Sequence, residues 1–365
     1  MNDLKERITN SMFVAIFINM MYSKSIGITQ GSMAREVGND IWIATLLSSL
    51  QALIVMLIVI WIIEKYPSIE PTLKGEMKIA VSGIKKLINI LMFIFFAFAF
   101  GNTISTYVFH MRDYFLPEVP IWLLIFFATL IGVLTILYGL EVIGRTALIG
   151  VVLFCAYNIL LVAGSIKEFD IRELQPVLSS GISNNLWTSR HLNADWAIPT
   201  MATFYLYPRI KKKEFVRKSS VIAIVFSSGL LVIWPILING VISNEIASQY
   251  IVTCVQMAKS LEIGDYFHRL EIFMVLFGEI AILVQIAVIL YCAAESGRQI
   301  YKLDSYKILI IPIAVAFSVY GNWLVQEHQR ALNIIEHLWV TISLWTAIIV
   351  PLLFLLLGYI YQREK

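Results

Sequence analysis

Two ionisable side chains fall within long apolar segments of this sequence. Lys24 lies in a polar run of the first apolar segment, and Glu279 lies near the middle of the eighth, which also carries Gln285. A charge at the centre of a bilayer costs about 2.5–3.5 kcal/mol on insertion scales and is a functional-site hypothesis by default. The alternatives are that Lys24 extends its ammonium toward the interface and that Glu279 is protonated or packed against a polar partner.

The residue pattern favours ligand recognition rather than catalysis. The sequence contains no His-Glu-x-x-His, no Gly-x-Ser-x-Gly and no phosphate loop, so we predict no enzyme and no cofactor. Three widely spaced cysteines predict neither a disulfide framework nor a metal motif. We also predict no metal site from the five histidines, which fall near one side of the predicted membrane without metal-ligand spacing: His110, His191, His268, His328 and His337.

Composition indicates that lipid is the main solvent. The chain has 365 residues, of which 59% are hydrophobic and 15% charged, and its mean hydropathy is +0.78. A soluble domain has about 25% charged residues. With about 20 apolar residues per membrane span, we predict one all-α membrane domain over residues 1–365. Its ten predicted spans are 9–36, 41–63, 87–110, 120–139, 142–164, 192–208, 217–240, 267–293, 306–324 and 335–361.

The distribution of positive charge predicts the orientation. Most of the 28 Lys and Arg residues fall in loops on the side that holds both termini, including the basic run at 209–218. The positive-inside rule therefore places both termini in the cytoplasm. The same rule explains the basic run without any nucleic-acid partner. The loops at 167–190 and 243–266 are predicted outside and are too short for a catalytic domain, although short surface helices would fit in them.

Spans one and six are both interrupted by polar residues or proline. In span one we predict unwinding near Tyr22–Gly27, and in span six Pro199 removes a backbone donor. Paired interrupted helices at corresponding positions of two halves, here about 9–164 and 192–361, are typical of the substrate site of an inverted-repeat transporter. An ordinary kink is the alternative. The predicted ligand-binding residues are Tyr22, Ser23, Lys24, Ser25, Gly27, Thr200, Thr203 and Glu279.

Several short motifs, in order along nearly the whole chain, resemble the GerAB-type spore germination proteins, the B subunits of spore germinant receptors. The matching segments are Tyr66-Pro67-Ser68 with the Lys-rich stretch after it, 170–178 with Gly181, 207–213, 269–271 and 297–303. The resemblance implies the amino acid–polyamine–organocation superfamily, with two inverted five-helix repeats in a LeuT-like fold and helices 1 and 6 broken. It also implies the spore inner membrane, a membrane A subunit and a lipoprotein C subunit as partners, and a small nutrient ligand, often an amino acid, that triggers germination.

This chain departs from the family pattern at both interruptions. Where the family tends to have Gly-x-Gly in span one, this chain has Ser23-Lys24-Ser25, and where Gly-x-Glu is common in span six it has Thr200-Met201-Ala202. The position of the site is therefore expected to be kept while its ligand differs. In the superfamily's fold, span eight packs beside the break in span one. We therefore predict either an ion pair between Lys24 and Glu279 or Lys24 facing the cavity alone.

Three functions remain open at this point. A receptor subunit needs only differential binding of its nutrient to two states. A secondary active amino-acid transporter coupled to H⁺ or Na⁺ would use the same cavity and needs a coupling group, for which Glu279 is a candidate. A structural scaffold for the other subunits would bind no ligand.

Overall fold

The computed structural model describes residues 7–66, 79–261 and 269–363. The loop residues Pro67 and Ser68, the lysines at 74 and 78, and His268 lie outside these ranges. The α-helices are α1 Asn10–Ser25, α2 Thr29–Val37, α3 Ile41–Lys65, α4 Ile79–His110, α5 Ile121–Tyr138, α6 Leu140–Ser165, α7 Ile182–Leu206, α8 Val216–Ala247, α9 Thr253–Ser260, α10 Leu270–Tyr301, α11 Lys307–Val325, α12 His328–Asn333 and α13 Val340–Arg363.

Eight helical segments of the described chain are long and apolar enough to cross a membrane. These segments correspond to predicted spans two to five and seven to ten. Span one is divided between α1 and α2, and span six is α7, whose 25 residues include many polar side chains. Ten spans are therefore consistent with the helices, although α1, with 16 residues, and the polar α7 are not among the eight.

The predicted break in span six is not found. α7 runs without interruption from Ile182 to Leu206 with Pro199 inside it. Proline withholds only one helical hydrogen bond, the one to the carbonyl four residues earlier. Hydroxyl groups reinforce the adjoining turns, because Thr200 donates to the carbonyl of Trp196 at 2.7 Å and Thr203 donates to the carbonyl of Pro199 at 2.8 Å. The helix is thereby kept continuous.

Short helices lie in both of the loops predicted outside. A 3₁₀-helix occupies Ile171–Leu174, and α9 occupies Thr253–Ser260. α8 bends near its end, where Ser243 has φ 61° and joins two helical pieces. π-helical segments follow α4 at Met111–Phe115 and precede α13 at Ile334–Trp339.

α1 and α10 form the centre of the bundle. Every residue of α1 from Phe17 to Ser25 is buried, and α10 is buried continuously from Val284 to Arg298. α10 packs against α1, α4, α5 and α6, whereas α5 and α11 expose large apolar side chains. Polar side chains on the two central helices therefore meet other protein groups instead of lipid, which is where a membrane protein can keep them.

Polar contacts close both ends of the bundle. At the terminal face, the end where α1 begins, the amide of Ile8 donates to the carbonyl of Arg209 at 2.9 Å, and Glu295 binds Arg298 on α10. At the distal face, the opposite end, Arg35 of α2 forms a 2.7 Å ion pair with Glu336. The break between α1 and α2 is thus enclosed between two sets of contacts.

Candidate ligand-binding site

The helix of span one is interrupted at residues 26–28. α1 ends at Ser25 and α2 begins at Thr29, so the interruption overlaps only the end of the predicted segment Tyr22–Gly27. A Cβ on Gly27 would lie 3.2 Å from the carbonyl oxygen of Ser23, which leaves little room for a side chain. The thiol of Cys254 on α9 donates to the carbonyl of Ile26 at 3.3 Å. A backbone group released by the break is therefore bonded by the distal loop that follows α8.

Lys24 pairs with Asp195 of α7. Its Nζ lies 3.6 Å from Oδ1 of Asp195, and the two side chains are only 2% and 1% exposed. The predicted pairing of Lys24 with Glu279 is therefore wrong. The helical register is the physical reason, since Lys24 points toward α7 while the preceding residue, Ser23, points toward α10, where its hydroxyl bonds Gln285.

Asp195 connects four predicted spans. Its Oδ2 accepts a hydrogen bond of 2.6 Å from the hydroxyl of Thr29 at the start of α2. Its Oδ1 accepts from Nδ2 of Asn102 on α4 at 3.0 Å and from Nε1 of Trp339 before α13 at 3.3 Å. A buried carboxylate is stabilised when it accepts several hydrogen bonds and faces a cation. This cluster of Lys24, Thr29, Asn102, Asp195 and Trp339 is called the Asp195 cluster below.

Asp195 was missed by the sequence analysis although a signal for it was present. It lies inside predicted span six, and a carboxylate within a span is a functional-site hypothesis on the same grounds as Lys24 and Glu279. Asn102, Thr29 and Trp339 carried no comparable signal. Uncharged polar residues are common in helices that pack against other helices.

Glu279 lies on a different side of α10 from the break and pairs with α4. Its Oε1 is 3.4 Å from Nδ1 of His110, and neither side chain makes a hydrogen bond of good geometry with a described residue. Its neighbour Gly278 does meet the break, because a Cβ there would lie 2.7 Å from Cδ1 of Ile26. α10 therefore packs beside the break as expected, while the carboxylate of Glu279 points away from Lys24.

Tyr22 and Ser23 lie beside the break but point in other directions from Lys24. The hydroxyl of Tyr22 accepts a hydrogen bond of 3.1 Å from Nδ2 of Asn158 on α6, and its ring stacks on Phe154 at 4.1 Å. The hydroxyl oxygen of Ser23 also lies 2.8 Å from the carbonyl oxygen of Met20. Successive residues of a helix point about 100° apart, so the predicted run of site residues cannot line one surface.

Thr200 and Thr203 are not gathered into the Asp195 cluster. Thr200 lines a separate cavity of about 180 Å³ between α3, α7 and α13, which also contains Gln51 and Asn193. Thr200 is five residues after Asp195, so the two side chains point about 140° apart around α7. The hydroxyls of both threonines bond the backbone of α7 itself.

Unpaired polar atoms remain at the break. The hydroxyl of Ser25, both amide atoms of Gln30 and Nε2 of Gln285 are buried and have no hydrogen-bond partner among the described residues. Burying such groups without partners costs about 1–3 kcal/mol each in proteins. Spans one and eight therefore carry buried polar atoms without partners among the described residues, in addition to the paired Lys24 and Asp195.

Within the described ranges, no group of three His, Cys, Asp or Glu side chains could hold a metal ion. His191 instead bonds Glu36 at 2.8 Å, and His328 lies 3.2 Å from Asp113. These two histidines therefore contact carboxylates at the distal face.

Solved structures of similar fold include two symport proteins. A Na⁺-coupled sialic acid symporter in a substrate-bound outward-open state aligns with a TM-score of 0.64 at 13% identity, over 94% of this chain and 79% of that chain. Mhp1, a nucleobase-cation-symport-1 family transporter, gives 0.64 at 14% identity, over 92% and 78%. MhsT in complex with L-phenylalanine gives 0.59 at 13% identity, over 96% and 98%. The predicted LeuT-like transporter fold is confirmed.

Two curated relatives are similar over most of the chain. Spore germination protein KB of Bacillus subtilis (strain 168) is 24% identical over 340 residues, covering 90% of this chain and 88% of the relative. Spore germination protein YndE of the same organism is 25% identical over 303 residues, covering 81% and 82%. The family model described as spore germination protein matches residues 7–330. This chain therefore belongs to the spore germination protein family of multi-pass membrane proteins.

Proposed function

We propose that this chain is the B subunit of a germinant receptor and binds a small nutrient beside Lys24, at the break in span one. The nutrient that fits best is an amino acid. The observation that carries the proposal is a lysine only 2% exposed whose carboxylate partner, Asp195, lies at 3.6 Å. The family membership supplies the process, which is spore germination.

The Lys24 ammonium has capacity for a ligand carboxylate. An ammonium has three donors, and a charge-assisted N–H···O bond is normally about 2.7–2.9 Å long, so the 3.6 Å contact with Asp195 is a loose one. The first turn of α2 adds backbone N–H groups and a partial positive charge to the same region. The amide oxygen of Gln30 and the carboxylate of Asp195 are acceptors for the amino group of the nutrient.

The contact between Lys24 of α1 and Asp195 of α7 would link ligand binding to the relative position of these two helices. A ligand carboxylate that competes for Lys24 weakens its pairing with Asp195 and favours a state in which the two helices are released. A ligand shifts such an equilibrium only through its different affinities for the two states. In this proposal a membrane A subunit and a lipoprotein C subunit in the spore inner membrane bind differently to the released state and so respond to it.

Germination assays test the proposal. Spores lacking the gene are first screened against the twenty amino acids singly, which identifies the nutrient, and the gene is then restored with Lys24→Met, Lys24→Arg or Lys259→Met. Lys259 is an exposed lysine of α9 and serves as the matched control. We expect Lys24→Met to abolish the nutrient-dependent response even after correction for the subunit abundance measured in the same spores, and Lys259→Met to keep it. An unchanged dose response in Lys24→Met would show that the nutrient does not bind beside Lys24.

A secondary active transporter is the second candidate, because solved structures of similar fold include symport proteins. Uptake of the identified, radiolabelled amino acid into proteoliposomes separates the two, since a receptor binds without accumulation. Glu279 would be the coupling group of a transporter. A scaffold role predicts neither binding nor uptake.

Orientation is part of the proposal. Both termini are placed in the cytoplasm, with Lys212 inside and Glu173 outside. Single cysteines at these two positions should label from opposite sides of the membrane. Labelling of position 173 from the cytoplasm alone would overturn the orientation.

A further inference from the structure

A deep apolar groove runs along the lipid-facing surface between α5 and α11. Its volume is about 650 Å³. The floor is made of buried side chains, among them Ile125, Thr129 and Ala314. The rims are formed by exposed large residues such as Phe126 and Val319, which are 51% and 66% exposed. The groove extends on α5 from residue 122 to residue 137, about 22 Å at the helical rise. This length exceeds one leaflet of a hydrocarbon core about 30 Å thick.

The groove continues into a polar cavity at the distal face. This second cavity has a volume of about 350 Å³ and shares Trp122 and Asn322 with the groove. Its lining includes the opposite charges of Arg112 and Glu118, together with the amide of Gln326. Neither Arg112 nor Glu118 forms an ion pair within residues 7–66, 79–261 and 269–363. A polar cavity with both charge signs thus joins a long apolar channel.

We propose that the two cavities together bind one phospholipid with a zwitterionic headgroup, phosphatidylethanolamine. One acyl chain lies in the groove between α5 and α11. The phosphate is bound by the guanidinium of Arg112, which suits its geometry, and the primary ammonium is bound by the carboxylate of Glu118. Tryptophan is favoured at the depth of the headgroups, which agrees with Trp122 at the junction.

The shape of the groove favours an acyl chain over a helix of a partner protein. Helices that associate in membranes present small residues to each other so that their backbones approach closely. Here the small residues lie at the bottom, and the bulky rims keep another backbone at a distance. The polar floor groups are already satisfied, because the hydroxyl of Ser318 donates to that of Thr129 at 3.0 Å. A flexible chain reaches such a floor, whereas a helix would rest on the rims.

The first test locates the lipid. The full-length protein is reconstituted in nanodiscs that contain phosphatidylethanolamine with a photoactivatable diazirine in one acyl chain, and cross-linked peptides are identified by mass spectrometry. We expect cross-links to concentrate in 121–138 and 307–325 and to be competed by unlabelled phosphatidylethanolamine. Cross-links spread evenly over the lipid-facing helices, or not competed, would overturn the proposal. A further contrary result would be a disulfide bond between Phe126→Cys and a membrane protein partner, together with loss of the lipid cross-links when that partner is present.

The second test uses variants and native mass spectrometry of the detergent-purified protein titrated with defined lipids. Arg112→Gln should weaken phosphatidylethanolamine binding by about tenfold, as expected for the loss of one charge-assisted contact. Glu118→Gln should remove the preference for phosphatidylethanolamine over phosphatidylglycerol, which lacks the ammonium. Ala314→Phe fills the floor and should reduce binding of both lipids.

Matched controls separate a specific site from general effects. Arg145→Gln removes an exposed arginine that pairs with Glu141 elsewhere, and Val152→Phe adds the same ring as Ala314→Phe at an exposed position of α6. Both should bind phosphatidylethanolamine like the unaltered protein. Equal binding by Arg112→Gln and Arg145→Gln, or by Ala314→Phe and Val152→Phe, would overturn the site. Thermal melting identifies any variant that fails to fold, in which case the cross-linking result decides.

Discussion

Two buried acids of the bundle, Asp195 and Glu279, are held in different ways. Asp195 accepts hydrogen bonds from Thr29, Asn102 and Trp339 and faces Lys24 at 3.6 Å. Glu279 faces a single imidazole, that of His110, at 3.4 Å and accepts no hydrogen bond of good geometry from a described residue.

The difference shows that buried acids of one membrane protein can contribute unequally to its packing. A charge bonded by several spans fixes their relative positions, and removing it leaves each former partner unsatisfied. A charge bonded by one partner across a single helix pair can be lost with little disturbance. The Asp195 cluster therefore holds the spans around the break, whereas the contact between Glu279 and His110 is a local one between α10 and α4.

The largest effect is expected from Asp195→Ala. It leaves the Lys24 ammonium buried without a partner, and removing one member of a buried pair costs about 3–5 kcal/mol. Thermal melting in detergent and subunit abundance in membranes measure the loss. The control is Glu279→Ala, which should lower the melting temperature much less. Equal losses in the two variants would contradict the distinction drawn between the acids.

A double-mutant cycle sharpens the comparison. Lys24→Met should partly rescue Asp195→Ala, because it removes the unpaired charge, with a coupling energy of about 0.5–3 kcal/mol as is usual for residues in contact. The matched cycle of Lys24→Met with Glu279→Gln should be additive within about 0.5 kcal/mol. Melting temperatures of the three single and two double variants provide the data. A coupling energy in the second cycle would support the pairing of Lys24 with Glu279 that was predicted from the sequence.

Much of the fold was predictable from sequence because it depends on local composition. Eight spans follow from apolar length alone, and the polar run around Lys24 correctly indicated that span one is interrupted. The break predicted from Pro199 in span six is wrong. The loss of one backbone donor does not require a break when Thr200 and Thr203 reinforce the helix.

The site was less predictable because it depends on the rotation of each helix. Residues 22–24 are adjacent in sequence, yet they face α6, α10 and α7 in turn. No sequence period fixes which of these faces meets which helix. The partner of Lys24 required the packed bundle, although the presence of Asp195 in span six was a readable signal.

A smaller effect is expected from Glu279→Gln. The amide keeps the size of the side chain and replaces a carboxyl group that accepts no hydrogen bond of good geometry from a described residue. We expect the free energy of unfolding to change by less than about 1 kcal/mol, the net value of a typical hydrogen bond. A loss as large as that of Asp195→Ala would show that this pair also fixes the bundle.

The smallest effect is expected at Cys254, which contacts the break from α9. Cys254→Ala removes the thiol that donates to the carbonyl of Ile26 at 3.3 Å, and a weak donor of this kind should contribute at most about 0.5–1 kcal/mol. Cys254→Ser is the control, because a hydroxyl of similar size keeps the donor. If the contact matters, serine should melt closer to the unaltered protein than alanine does. Equal melting of the two variants would show that α9 supports the break by packing alone. The Asp195 cluster would then be the main polar restraint on span one.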